Sequence, residues 1–238
     1  MAEIICKKCQ SSDRVKNGFV RGLQRYRCKS CGCNFTATPA HREHPAKKSL
    51  ALLLYGMGNM SFRMIGRLLG VSHVAVFEWI KAEACKLPQP EVPADLEVVN
   101  LDEMWHFLKK KSEKLWLLRA FDPVKRRVLP WVLGGRDTAT CQKLLDKIGI
   151  KGRTFLTDDW KVFHKLIPED QLLTGKDLTF PIEQDNSDIR HYLARFRRRT
   201  KVVSKTAEMV DASLRLHHYL DKPENYATIS ASFLSIFN

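Results

Sequence analysis

Two cysteine pairs constrain this chain more than any other feature. Cys6 and Cys9 stand in CKKC and Cys28 and Cys31 in CKSC, bracketing residues 10–27. Each CxxC can turn two thiolates toward one point, and two such pairs at this separation match a tetrahedral zinc site. A segment of about forty residues with few large apolar side chains buries too little surface to fold alone, so the ion would serve as its core. Cys33, in CGC, competes with Cys31 for the fourth ligand position. Disulfides are the alternative chemistry, but the N-terminus lacks the apolar run of a signal peptide, so a cytoplasmic chain with reduced thiols is expected. Cys85 and Cys141 are isolated and are expected to be small buried hydrophobes. Between the pairs, RVKNGFVRGLQRYRC alternates basic with apolar side chains, which predicts a hairpin with a basic face.

Charge names the class of partner. The 238 residues carry 40 Lys and Arg against 26 Asp and Glu, a formal net charge of +14. The excess is concentrated, because residues 1–50 hold 11 basic and 3 acidic side chains. Such a balance predicts a polyanion, with DNA the natural candidate. No apolar run approaches the roughly 18 residues a membrane helix needs, so no membrane partner is expected.

Residues 45–84 have helical periodicity. In SFRMIGRLLGVSHVAVFEWIK, Ile65, Leu68 and Leu69 fall on one apolar face, and Val76, Phe77 and Ile80 on the next. Gly70 can take a positive φ between them and Ser72 can cap the second helix. The pattern is that of a helix-turn-helix whose second helix enters a major groove, leaving His73, Ala75, Glu78 and Lys81 off the apolar stripe to touch DNA. LPQPEVPADL, residues 87–96, carries three prolines and predicts a semi-rigid linker. The expected organisation is therefore a zinc ribbon over 1–40, a helix-turn-helix over 41–86, the linker, and a larger domain over 97–238.

The larger domain opens with three strand-like runs, LEVVNLDEMWHFL, KLWLLRAFD and RRVLPWVLGG. A helix TATCQKLLDKIG, a strand TFLTDDW and a helix WKVFHKLI follow. That order predicts an α/β domain with a mixed sheet. The first run places Asp102 and Glu103 among Val, Leu, Trp and Phe, where a carboxylate is costly unless it is paired or bound to a cation. Alternation sends the two acids to opposite faces, so only one can join a cluster. Asp158, at the end of the fourth strand, can face the first, and Glu183 in PIEQDNSDIRHYLARFRRRT would start a long helix beside them. The five tryptophans, mostly strand-embedded, are expected in the core rather than stacked on bases.

LDEMW, LTDDW, PIEQDNSDIRHYLARFRRRT and VVSKT, behind a zinc knuckle and a helix-turn-helix, resemble the transposases of the insertion-sequence-one family over nearly the whole chain. The resemblance implies a ribonuclease-H-like core in which Asp102, Asp158 and Glu183 form the metal-binding DDE triad. It also implies a basic residue seven positions after the Glu, and Arg190 holds that place on the same helical face. Gln184 and Asp185 depart from the expected Arg-His, and Asp185 and Asp188 compete with Glu183, as Glu103 and Asp159 do with their neighbours. The first acid of each pair is taken.

Phosphodiester transfer wants two hard cations held by carboxylates, so catalytic Mg²⁺, replaceable by Mn²⁺, is expected beside structural Zn²⁺. The expected activity is cleavage of double-stranded DNA at the terminal inverted repeats of an insertion sequence, then strand transfer to target DNA, with no covalent protein intermediate. Arg197, Arg198, Arg199, Lys201 and Lys205 are expected to grip phosphates. Pairing two element ends implies a homodimer or higher assembly, associated with the nucleoid. The alternatives are a non-catalytic DNA-binding regulator and a metal-dependent nuclease without strand transfer.

Overall fold

The basic-apolar alternation after Asp13 folds as an antiparallel hairpin, β1 (Arg14–Val20) against β2 (Leu23–Cys28), with β3 (Asn34–Thr36) added beside β2. Register pairs Lys16 with Tyr26 and Tyr26 with Phe35, so the aromatic rings line up across the small sheet. Among the described residues the buried core here is Cys6, Cys28 and Phe35, while Val15, Phe19 and Leu23 lie exposed. So small an apolar core leaves the cysteines to hold the unit together.

The chain is described here from a computed structural model covering residues 4–20, 22–36 and 45–234. It divides into two compact units, Met1–His44 and Pro45–Asn238. The expected boundary between residues 40 and 41 lies outside the described residues.

The second unit is built on a five-stranded mixed sheet. Strands β4 (Val98–Phe107), β5 (Lys114–Asp122) and β6 (Arg127–Gly134) run antiparallel, as their alternation predicts. Strand β7 (Thr154–Thr157) lies parallel to β4, and β8 (Leu172–Thr174) parallel to β7, giving the order β6-β5-β4-β7-β8. The three-residue β8 was not foreseen, because so short an edge strand carries no periodicity to read.

Helices cover both faces. Val99 and Leu101 of β4 pack with Leu118, Phe155 and the apolar side of α4 (Thr138–Ile148), together with Phe163 of α5 (Lys161–Leu166). Met104 points the other way, onto Trp131, Ile189 of α6 (Phe180–Tyr192) and Val210 and Leu214 of α7 (Ala207–Asp221). Two-residue parity therefore sends Asp102 toward α6 and Glu103 toward α4.

Three helices precede the sheet: α1 (Pro45–Gly56), α2 (Phe62–Leu69) and α3 (His73–Ala84). Gly70 ends α2 at φ 66°, and the Ser72 hydroxyl accepts the Ala75 N–H at 3.1 Å. Ile65, Leu69, Val76 and Ile80 are buried as expected, but Leu68 is 61% exposed. Phe62, Ile65 and Leu69 of this short helix face its neighbours, leaving Met64 and Leu68 as a second apolar stripe in solvent.

Met209, Ala212, Leu216 and Leu220 of α7 complete the core of these three helices, with Ile229 of α8 (Pro223–Leu234) packed against it. Helix α7 thus buries two sides, one on the sheet and one on α1–α3, so residues on either side of segment 87–96 share one unit. Cys141 is buried as expected, whereas Cys85 is exposed because it caps the end of α3 rather than entering the core. Trp131 is 2% exposed, but Trp105, near the end of β4, is 40% exposed. No helix of the described residues is long and apolar enough to cross a membrane.

Candidate active site and zinc centre

The Sγ atoms of Cys6, Cys9, Cys28 and Cys31 all lie within 4.8 Å of one another. Cys6 and Cys31 are 3.6 Å apart and Cys9 and Cys28 3.5 Å. A tetrahedral zinc with Zn–S near 2.3 Å sets its sulfurs roughly 3.8 Å apart, so this donor set fits the ion in number, chemistry and spacing. The Lys8 N–H points at Cys6 Sγ from 3.4 Å, which helps hold the thiolate. Cys33 stands outside the group, its thiol directed at the Asn34 carbonyl.

The acids form a looser set. Among the described residues only the four cysteines bring three or more ligating atoms within 4.8 Å of each other. Asp102, Asp158 and Glu183 come from the middle of β4, the end of β7 and the first turn of α6. Each has one oxygen held in place: Asp102 Oδ2 accepts from Asn186 Nδ2 at 2.6 Å, Asp158 Oδ1 from the Trp160 N–H at 3.1 Å, and Glu183 Oε1 from Thr179 Oγ1 at 3.2 Å. Burial raises the Asp102 pKa, the Glu103 backbone N–H opposes this, and the charges of Asp158 and Glu183 push it up further. An acid whose pKa is pushed up by two neighbouring carboxylates, with each of the three oriented through one oxygen, suits a divalent cation that would relieve the repulsion.

The competing acids have other partners. Asp159 is 89% exposed at its side chain and pairs with His164 at 2.9 Å. Asp185 is ion-paired to Arg119, whose side chain is only 2% exposed, and Arg119 Nη1 also donates to Asn186 Oδ1 at 2.5 Å. Asn186 therefore links Arg119 to Asp102. Asp188 lines a separate cavity of about 180 Å³ with Asp221, His217 and His218. Glu103 points to the opposite face, where Arg136 holds it by an ion pair.

Arg119 and Asn186 escaped the sequence reading, although the signal for Arg119 was present: a lone cation in LLRAF is as costly as Asp102 in its own strand. The Arg119→Met variant should lose about 3 kcal/mol of stability, because it strands Asp185 and Asn186 in a largely dry site. Arg119→Met combined with Asp185→Leu should recover most of it. Denaturant unfolding of both variants checks this.

Arg190 is half-buried. Burial and the neighbouring Arg198 lower its pKa, while the charge of Asp102 raises it. Arg197, Arg198, Arg199, Lys201 and Lys205 are exposed in the segment between α6 and α7. Within that segment Arg195 is buried instead, its guanidinium 5.5 Å from the Tyr55 ring centre and 5.6 Å from that of Phe62, tying the segment to α1 and α2. On α3, His73 and Glu78 are exposed and Ala75 is half-buried. Lys81 pairs with Glu208 of α7 at 3.2 Å, a partner too distant in sequence to foresee. Val74, 53% exposed beside His73, was missed.

The model of the IS1 transposase family matches residues 96–226. Over 113 residues the chain is 34% identical to the insertion element iso-IS1n protein InsB of Shigella dysenteriae, covering 47% of this chain and 86% of that protein. It is 31% identical over 123 residues to the IS1 protein InsB of Shigella flexneri, and 30% identical over 123 residues to that of Shigella sonnei. Each match covers 51% of this chain and 92% of the relative.

Proposed function

Since the chain belongs to the IS1 transposase family, we propose that it binds the terminal inverted repeats of its insertion sequence and catalyses metal-dependent strand cleavage and strand transfer on a ribonuclease-H-like core. The observation that carries this reading is the set Asp102, Asp158 and Glu183, three acids from three elements, each with one oxygen fixed and each within the field that raises Asp102. These residues would hold Mg²⁺ or Mn²⁺, which when bound activates the attacking oxygen and stabilises the leaving one.

The chain's own groups do the rest. Asn186, fixed by Arg119, keeps one Asp102 oxygen committed and so orients the other. Arg190, on the same helix face as Glu183, supplies positive charge where phosphate enters. The exposed run Arg197, Arg198, Arg199, Lys201 and Lys205 grips the backbone without reading sequence. Helix α3 acts as the recognition helix of a helix-turn-helix, with His73, Ala75 and Glu78 at base edges. Lys81 can join them at little cost, because an exposed pair such as Lys81–Glu208 contributes about 1 kcal/mol or less. The cysteine-rich unit, held by zinc, adds a basic hairpin to the DNA contact, and two subunits bring two ends together.

The test is a joining assay with duplex DNA carrying the element's end, a plasmid target and Mg²⁺. The 3′-ends should become covalently linked to the plasmid. Nicking without joining would identify a nuclease, and binding without nicking a regulator.

A further inference from the structure

A cavity of about 730 Å³ lies beside Asp158, lined by Arg136, Lys161, Thr174 and Lys176 among others. We propose that it binds the phosphodiester backbone of a DNA strand next to the acids, with Arg136, Lys161 and Lys176 as its cationic contacts and Glu103 as the residue that positions Arg136. The proposal rests on the reading of the chain as a DNA-processing enzyme and adds the path of the strand.

Arg136 is built for such a contact. Its guanidinium sits 5.3 Å from the Trp116 ring centre and 5.0 Å from that of Trp160. Arg136 Nε donates to Glu103 Oε1 at 2.6 Å, and Nη2 reaches the same oxygen. The Glu103 side chain is 5% exposed and its Oε2 is buried without a partner, while Arg136 keeps 42% of its side chain in solvent. A buried carboxylate with an orphaned oxygen is poor value as a stabilising pair. Its consequence here is orientation: one edge of the fork is pinned, two indole rings lie beside it, and the remaining N–H groups are left for an acceptor in the cavity. A planar fork held in this way matches phosphate geometry and loses little freedom on binding.

The other cations agree. Lys161 opens α5, Lys176 follows β8, both are exposed, and neither has an ion-pair partner among the described residues. Lys176 also lines an adjoining cavity of about 500 Å³ with Asp177, Phe180 and Glu183. The two cavities share Lys176, so the proposed strand path runs from Arg136 past Asp158 toward Glu183. It ends at Phe180, 66% exposed and free to stack on a base.

The test is the salt dependence of binding to an element-end duplex. Each lost phosphate contact reduces the slope of log K against log salt by about 0.9. The Lys161→Gln, Lys176→Gln double variant should flatten the slope by about 2, and Arg136→Gln by about 1. Arg136→Lys should keep the slope but bind more weakly, since it keeps the charge and loses the fork. Lys165→Gln, on the same helix as Lys161 but outside the cavity lining, should match the unmodified protein. Circular dichroism confirms that each variant is folded. An unchanged slope in the double variant with DNA still bound, or an equal change in Lys165→Gln, overturns the proposal and leaves the transposase reading standing. Failure of the unmodified protein to bind element ends overturns that reading and this one together.

Discussion

The Asp102→Asn variant is expected to bind element-end DNA normally and to cleave it about a thousandfold more slowly or worse. Asparagine keeps the shape of the strand and can still meet Asn186, but it removes a charge from the cluster. A loss of three decades corresponds to about 4 kcal/mol of transition-state stabilisation, the scale expected when a metal-assisted phosphoryl transfer loses a ligand. Asp158→Asn and Glu183→Gln should behave alike, because all three acids serve one function and their losses do not add. Asp159→Asn and Asp188→Asn should retain substantial activity, as their carboxylates point elsewhere. Asp185→Asn is a sharper comparison. Asp185 is held by Arg119, so its loss should disturb stability more than the chemical step. Abolished cleavage in a folded Asp185→Asn, with Glu183→Gln active, would move the third ligand to Asp185.

The Cys6→Ser, Cys9→Ser double variant should lose a whole ion and the order of the unit that contains it. About one zinc per chain is expected in the purified protein, and none in the variant. Binding by four thiolates contributes about 10 to 16 kcal/mol in small zinc domains, far more than Cys6, Cys28 and Phe35 could supply by burial. The second unit, with its own core, should keep its unfolding transition. Element-end binding should weaken through loss of the basic hairpin. Full zinc retention in the double variant would contradict the assignment, whereas Cys33→Ser should leave the metal in place.

Much of this was legible because some residues are costly where they stand. Asp102 in an apolar strand demanded a partner, and β-alternation separated it from Glu103 before any fold was known. The cysteine spacing fixed which thiols meet, apart from the choice between Cys31 and Cys33, which needed the turn at Gly32 in three dimensions. Strands β4 to β6 announced themselves by composition and turns. What escaped was long-range. Asn186 reads as an ordinary polar residue of a helix until Arg119, on another element, is seen to hold it. Lys81 looks free until α7 brings Glu208 to it. Helix α7 itself carries two apolar stripes that serve different cores, and a single helical period cannot express that. Leu68 was misjudged because periodicity says which residues share a face, not whether anything covers it.

Asp102, Asp158 and Glu183 are expected to bind divalent cations together for the cleavage of DNA. Electron paramagnetic resonance of Mn²⁺ titrated into the protein bound to element-end DNA counts those ions directly. It does so without relying on turnover. About two Mn²⁺ should bind to the unmodified complex beyond those held by DNA alone. The Asp102→Asn, Glu183→Gln double variant should bind fewer while still holding the DNA. An unchanged Mn²⁺ count in that variant would mean that these acids do not hold the cations.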